Sequence, residues 1–142
     1  MPSVSKSPHI VERRPTTEEY AAITAAVSFK PHPAEAIEIG LANSLFHACA
    51  VVDDRAIGMG RIVGDGALTF YLTGIMVIPE YQRRGLGTQI VERLLDRVRR
   101  VPYANTLVEA LPLPGLEGFY ARFGFKACRQ YAPGMHLWLN TV

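Results

Sequence analysis

Val77-Ile78-Pro79-Glu80-Tyr81-Gln82-Arg83-Arg84-Gly85-Leu86-Gly87-Thr88 joins two segments of different periodicity. Upstream, Leu68 to Ile78 is apolar and β-compatible, and Pro79 ends it because proline has no amide hydrogen for a sheet ladder. Downstream, Leu86, Ile90, Val91, Leu94, Leu95 and Val98 recur at helical spacing, with Arg, Glu and Asp on the other face. The stretch therefore reads strand, glycine-rich turn, helix. The start of such a helix leaves several backbone N–H groups without intrahelical partners. Its aligned peptide dipoles place partial positive charge there. Gly85 and Gly87 let backbone approach a ligand, and Arg83 and Arg84 add full charges. Together these make an anion site suited to a phosphate or pyrophosphate. The dinucleotide fingerprint needs a third glycine and an acidic residue about 20 positions on, and the P-loop needs Gly-Lys-Ser/Thr; neither pattern is met. Two glycines alone fit equally a plain strand–helix turn.

Working upstream, Leu45 to Val52 and Ala56 to Val63 read as two more strands, with Asp53-Asp54 and Asp65-Gly66 as the turns of an antiparallel meander. Ala34 to Asn43 carries a short helix. Thr16 and Glu19 have capping-box spacing and open a helix to about Val27. His9 to Arg13 is a short edge strand, and residues 1–8 are a loose tail. Downstream, Thr106 to Leu111 is a strand, and Pro114 opens a helix to about Phe123 with Gly124 as its left-handed cap. Phe125 to Arg129 and Met135 to Leu139 read as two closing strands around Pro133-Gly134. Strand, helix, strand over residues 68–111 predicts a parallel crossover in a mixed sheet. The class is α+β, one sheet with helices on both faces, in a single domain over residues 1–142.

The 142 residues are 49% hydrophobic and 20% charged, which argues for a globular chain and against disorder. A net charge of +2 gives no global reason to expect nucleic acid or an acidic membrane as partner. Its distribution is uneven. Residues 83–100 hold six Arg against Glu92 and Asp96, a local +4 that leaves −2 elsewhere. Arg83 and Arg84 are placed to help the anion site directly, and the farther arginines read as a solvated face. A nucleic-acid or protein-binding face on that helix is the competing reading. Cys49 and Cys128 are too few for a disulfide framework and read as buried small hydrophobes, which with no apolar targeting segment predicts a cytosolic protein. His9, His32, His47 and His136 show no ligand spacing, so no metal is predicted, and His47 reads as a satisfied strand histidine. Ser44 and Cys49 carry no nucleophile motif.

Val77 to Gly87, with Val-x-Pro followed by Gln-x-x-Gly-x-Gly, resembles the signature of the GNAT superfamily of acyl-CoA N-acyltransferases. A second stretch, Gly118-Phe119-Tyr120-Ala121-Arg122-Phe123-Gly124-Phe125, is similar to that family's late Tyr-x-x-x-Gly-Phe motif. The resemblance covers roughly residues 9–140. It implies a mostly antiparallel twisted sheet of six to seven strands flanked by about four helices and splayed between the fourth and fifth strands. It also implies acetyl-CoA as co-substrate. Backbone groups of Ile75, Met76 and Val77 would pair with the pantetheine arm, and Gln82, Arg83, Arg84, Gly85, Leu86, Gly87 and Thr88 would hold the pyrophosphate. Gly74, inside a bulky strand, is compatible with a bulge or a close approach at that opening.

By the same resemblance Tyr120 would protonate the departing CoA thiolate, a role open to a phenol with a reference pKa of about 10. An amphipathic core position beside Phe119 and Phe123 accounts for Tyr120 as well. Glu109, in the apolar strand 106–111, is the candidate general base, since burial would raise its pKa toward that task. A solvent-facing sheet residue is the alternative. Two positions depart from the family: the Asn often found after the fifth strand is replaced by Leu113-Pro114-Gly115, and the often acidic position before Ile75 is Gly74. The expected reaction is acetyl transfer to a small-molecule primary amine in a ternary complex. Phe29, Tyr71 and Tyr131 are possible walls of the acceptor site. A protein or peptide amine as acceptor, or a non-catalytic acyl-CoA sensor, stands as the alternative. A homodimer is a family-level expectation; no nucleic acid or membrane partner is expected.

Overall fold

The structure is a computed structural model and describes residues 7–128, 134, 135 and 137–139. The elements run β1 (His9–Val11), α1 (Thr17–Ala26), α2 (Ala34–Ala42), β2 (Phe46–Val52), β3 (Arg55–Gly64), β4 (Thr69–Val77), a 3-10 turn (Pro79–Tyr81), α3 (Leu86–Arg99), β5 (Leu107–Ala110) and α4 (Glu117–Ala121). Residues 1–109 and 110–142 form two compact units.

In the first unit, β1 to β4 are successive antiparallel neighbours, and β5 follows β4 in the order of a five-stranded sheet. The meander is as its turns predict. Asp53 and Asp54 both have positive φ (49° and 62°), as a two-residue hairpin twisted with its strands requires. In the next hairpin the Asp65 carboxylate accepts the N–H groups of Ala67, Leu68 and Thr69 at 2.8, 2.8 and 3.2 Å, closing the loop. β5 joins at the start of β4, where Leu107 N–H donates to the Leu68 carbonyl at 3.0 Å.

The bulge legible at Gly74 is present. Arg61 faces Thr73 and Met59 faces Met76, so Gly74 and Ile75 stand opposite the single residue Gly60. Gly74 takes the left-handed conformation, φ 67°, that such bulges assign to glycine. The consequence reaches α3. That helix buries Leu86, Ile90, Val91, Leu94, Leu95 and Val98 against the sheet. It packs closely because Gly60 presents no side chain: a methyl there would run into Ile75 Cδ1 and lie 2.8 Å from Ile90 Cγ2 and 3.1 Å from Leu94 Cδ1.

The opposite face is closed at one end by α1, whose Ile23 packs with Cys49, Val51, Ala56, Met59 and Met76. The Thr16–Glu19 capping box is formed, and Glu19 does more than cap. Its carboxylate receives the Arg13 guanidinium through two bonds of 2.9 Å and also accepts the Thr16 and Ala56 backbone N–H groups. One side chain thus ties the exit of β1, the start of α1 and the start of β3. The Arg13 hydrogen bonds hold the Glu19 carboxyl well below the ordinary range, at about 2.

Several expectations are corrected. Five strands, not six to seven, are found among the described residues. Residues 125–128, 135 and 137–139 carry no strand; Met135, Leu137, Trp138 and Leu139 are exposed, so their apolar run lacks the buried face that makes a strand pay off in packing. Arg129, Tyr131, Pro133 and His136 lie outside the described residues. In the second unit α4 starts at Glu117 rather than Pro114, because Gly115 turns the chain with φ 89° first. The helix ends at Ala121 with Arg122 as a right-handed cap, and Gly124, expected to cap it, takes the left-handed conformation, φ 95°, two residues beyond. Cys49 is buried as read, with its thiol pushed up to about 11 by desolvation, but Cys128 is exposed.

Two predictions follow from this packing. Glu19→Gln should lower stability by about 2 kcal/mol at neutral pH, measured by denaturant unfolding. Because the folded pKa is depressed, the wild-type contribution is complete above about pH 4.5 and fades as pH falls toward about 2, so the variant's deficit should shrink over that window. Gly60→Ala should cost about 1–3 kcal/mol through overpacking against α3, read as a lowered Tm.

Candidate functional site

The end of β4 is held to the following turn by a side chain. Gln82 Nε2 donates to the Val77 carbonyl at 2.8 Å, and Ile78 N–H continues the ladder to Ile57 O at 2.9 Å. The Val77 carbonyl, one of the groups expected to meet a ligand, therefore already serves one protein donor. Ile75 and Val77 are half-buried and Met76 is buried.

Beyond the 3-10 turn the chain reverses through two left-handed residues, Arg83 with φ 63° and Gly85 with φ 78°. Gly85 is the N-cap of α3 and offers no side-chain bond to it. At the helix start Gln89 N–H donates to Gly85 O at 3.1 Å. The amides of Leu86 and Gly87 precede that bond and are available to an anion, at the positive end of a helix of 14 residues. Thr88 is half-buried in the same turn. Arg84 donates to Glu80 O at 3.2 Å and lies 5.0 Å from the Tyr81 ring centroid, so its cation is held beside the turn. Arg83 is exposed next to it. This donor set, amides plus two guanidinium groups, fits a pyrophosphate. The far arginines are not uniformly a solvated face: Arg97 is half-buried, with its guanidinium 5.0 Å over Phe46, while Arg99 pairs with the exposed Asp96 at 3.1 Å.

Glu109 is exposed on β5, a strand whose residues alternate between exposed and half-buried. The burial expected from its apolar neighbours is absent there, because in an alternating strand they turn to the other face. In the second unit Tyr120 is half-buried on α4. Its ring meets Phe119 and Phe125 edge-on at 5.1 and 5.8 Å, and Phe119 meets Phe123 at 5.4 Å. These contacts give the phenol a defined direction. Phe29, at 40% exposure, and half-buried Tyr71 are both accessible, as wall residues must be.

One grouping was not visible in the sequence. His47 on β2 faces Arg61 on β3, and Arg61 faces Thr73 on β4, so the three form a polar row across the sheet beside the bulge. His47 Nε2 bonds the Leu41 carbonyl at 2.9 Å, and the Arg61 guanidinium lies 5.9 Å from the Tyr20 ring centroid. His47 Nδ1 and Arg61 Nε are buried without a hydrogen-bond partner. Among the described residues no group of His, Cys, Asp and Glu is placed to hold a metal ion, and no helix is long and apolar enough to cross a membrane.

Known proteins share both the sequence and the architecture. A protein of unknown function from meticillin-resistant Staphylococcus aureus, described as a probable acetyltransferase, superimposes with a TM-score of 0.86 at 30% identity, over 93% of this chain and 99% of that one. GCN5-related N-acetyltransferase 1, chloroplastic, of Arabidopsis thaliana is 28% identical over 83% of this chain, which spans 60% of that relative's length. An aminoglycoside N-acetyltransferase in complex with CoA has the same fold at 16% identity, with a TM-score of 0.65 over 99% of this chain and 98% of its own. The model of the acetyltransferase (GNAT) family matches residues 13–125, a span that runs from the Arg13 clamp through both motif stretches. A strand bulged at glycine, a left-handed turn and an amide-rich helix start thus occur here in the sequence frame of that family, and the chain belongs to it.

Proposed function

We propose that the chain works as one N-acetyltransferase domain, moving the acetyl group of acetyl-CoA to a primary amine of a small molecule in a ternary complex. The observation that carries this reading is the α3 start: amides of Leu86 and Gly87, unclaimed by the helix, beside Arg83 and Arg84 and directly after the bulged strand. The family match supports the reaction class, and the CoA bound by the aminoglycoside acetyltransferase of the same fold supports the co-substrate. We place the reaction in the cytoplasm, as two free cysteines are compatible with a reducing compartment.

The residues divide the work by chemistry. Gln82, Arg83, Arg84, Gly85, Leu86, Gly87 and Thr88 bind the pyrophosphate. The edge of β4 from Ile75 to Val77, beyond the Leu68–Leu107 bond, aligns the pantetheine arm by backbone pairing. Acetyl-CoA supplies an activated acetyl thioester. The amine nitrogen bonds to the carbonyl carbon as the carbon–sulfur bond breaks. Tyr120 gives its phenolic proton to the departing sulfur. Glu109, exposed on β5, takes the proton released by the amine. No covalent acyl-enzyme is required, which is consistent with the lack of a nucleophile motif around Ser44 and Cys49.

Two substitutions test the assignment. Tyr120→Phe should lower kcat by about 100-fold or more while changing acetyl-CoA affinity less than about threefold, measured by thiol release and by calorimetry. An unchanged kcat would remove Tyr120 from the acid role. Gly87→Val should place a branched side chain where the pyrophosphate approaches and weaken acetyl-CoA binding by about tenfold or more; equal binding would argue against the turn.

A further inference from the structure

The sheet has one sealed face and one that is open at one end. Ile62, Phe70 and Leu72, on the α3 side of β3 and β4, are 0%, 0% and 2% exposed. Arg61, Val63, Tyr71 and Thr73 alternate with them on the same strands, face the other way and are half-exposed. The α1 cluster around Met59 and Met76 closes the far end of that face, while at the near end the Tyr20 ring of α1 and the Leu41 carbonyl of α2 border the row of Arg61 and His47. Arg61 sits in the open end, in register with Thr73, the residue just before the Gly74–Ile75 bulge.

The state of Arg61 is chemically incomplete. Among the described residues no carboxylate pairs with it and no hydrogen bond reaches its guanidinium, which lies 5.9 Å from the centroid of the Tyr20 ring. Its Nε is buried without an acceptor. The neighbouring His47 offers no charge to balance. A carbonyl only accepts, so the bond to Leu41 O places the ring proton on Nε2 and leaves Nδ1 as a bare acceptor. Burial lowers the pKa of His47, which keeps the ring neutral. A permanently charged, planar five-donor group, braced by an aromatic face and lacking an anion, is complementary to a carboxylate or phosphate.

We infer that Arg61 binds an anionic group of the amine acceptor, so that the preferred substrates are amines carrying a carboxylate or a phosphate. This rests on the acetyl-transfer reading for the identity of the bound molecule. Cross-strand neighbours lie about 5 Å apart, so an anion on Arg61 sets its amine a few bonds away, at the bulge beside Thr73.

The test pairs each acid with its neutral twin: α-amino acids against their carboxamides, and 2-aminoethyl phosphate against ethanolamine. Binding to the wild-type chain is measured by calorimetry with and without CoA, and transfer by thiol release. At least one acid should bind about tenfold or more tightly than its twin. Arg61→Gln should erase that difference with CoA affinity and melting temperature retained, and Arg61→Lys should restore part of it. The pair that shows the preference separates carboxylate from phosphate. Equal binding of every acid and its twin, or a preference that survives Arg61→Gln, overturns the inference. A chain that binds the acids through Arg61 but transfers acetyl to no amine would overturn the acetyl-transfer reading and leave the anion site standing.

Discussion

The bulge that sets Gly74 and Ile75 opposite Gly60 is the constraint on which the rest of the architecture depends. The extra residue in β4 is accommodated here by a left-handed residue, Gly74 with φ 67°. The partner strand must leave room for α3, and Gly60 does so by having no side chain to place against Ile90 and Leu94. A side chain at Gly60 would lift the helix from the sheet, and one at Gly74 would strain the left-handed residue of the bulge. The glycine-rich turn would move with the helix, because Gln82 ties that turn to the last carbonyl of β4 and Gly85 is at once the end of the turn and the cap of α3. A backbone irregularity in one strand is in this way coupled to the electrostatics of the following helix start.

The two faces of the sheet are stabilised unequally. Beneath α3 the sheet side chains are fully buried, and the contact is dense and apolar. On the opposite face the α1 end is clamped by Glu19, whose single carboxylate serves three separate elements. The other end of that face keeps Arg61 and His47 with buried polar atoms unsatisfied. A folded chain gains nothing from such an arrangement, since each unpaired buried group bears its full desolvation cost. Polar groups left incomplete beside a strand bulge are characteristic of surfaces shaped for a ligand rather than for stability.

Local chemistry was legible wherever a few neighbouring residues decide the outcome. The Thr16–Glu19 spacing announced a capping box, Asp53-Asp54 a tight hairpin, the apolar spacing of 86–98 a one-sided helix, and Gly74 a bulge, and each is found. Expectations failed where a residue's setting depends on what the rest of the chain places around it. Cys128 has apolar neighbours in sequence yet is exposed, Glu109 lies in an apolar stretch yet faces outward, and Arg97 leans on Phe46 although its helix face reads as solvated. Residues 135 and 137–139 have the composition of a strand and do not form one.

The sequence by itself determined the family, the order of elements as far as α4 and the glycine-rich turn before α3, because all of these are encoded in contiguous stretches whose backbone preferences and spacing act locally. Only the tertiary structure decided which face of the sheet is sealed, that Glu19 joins β1, α1 and β3, and that His47, Arg61 and Thr73 stand in one row. The physical reason is register. Cross-strand neighbours are separated by 14 and 12 positions in the chain, and a slip or bulge of one residue would turn each side chain to the opposite face.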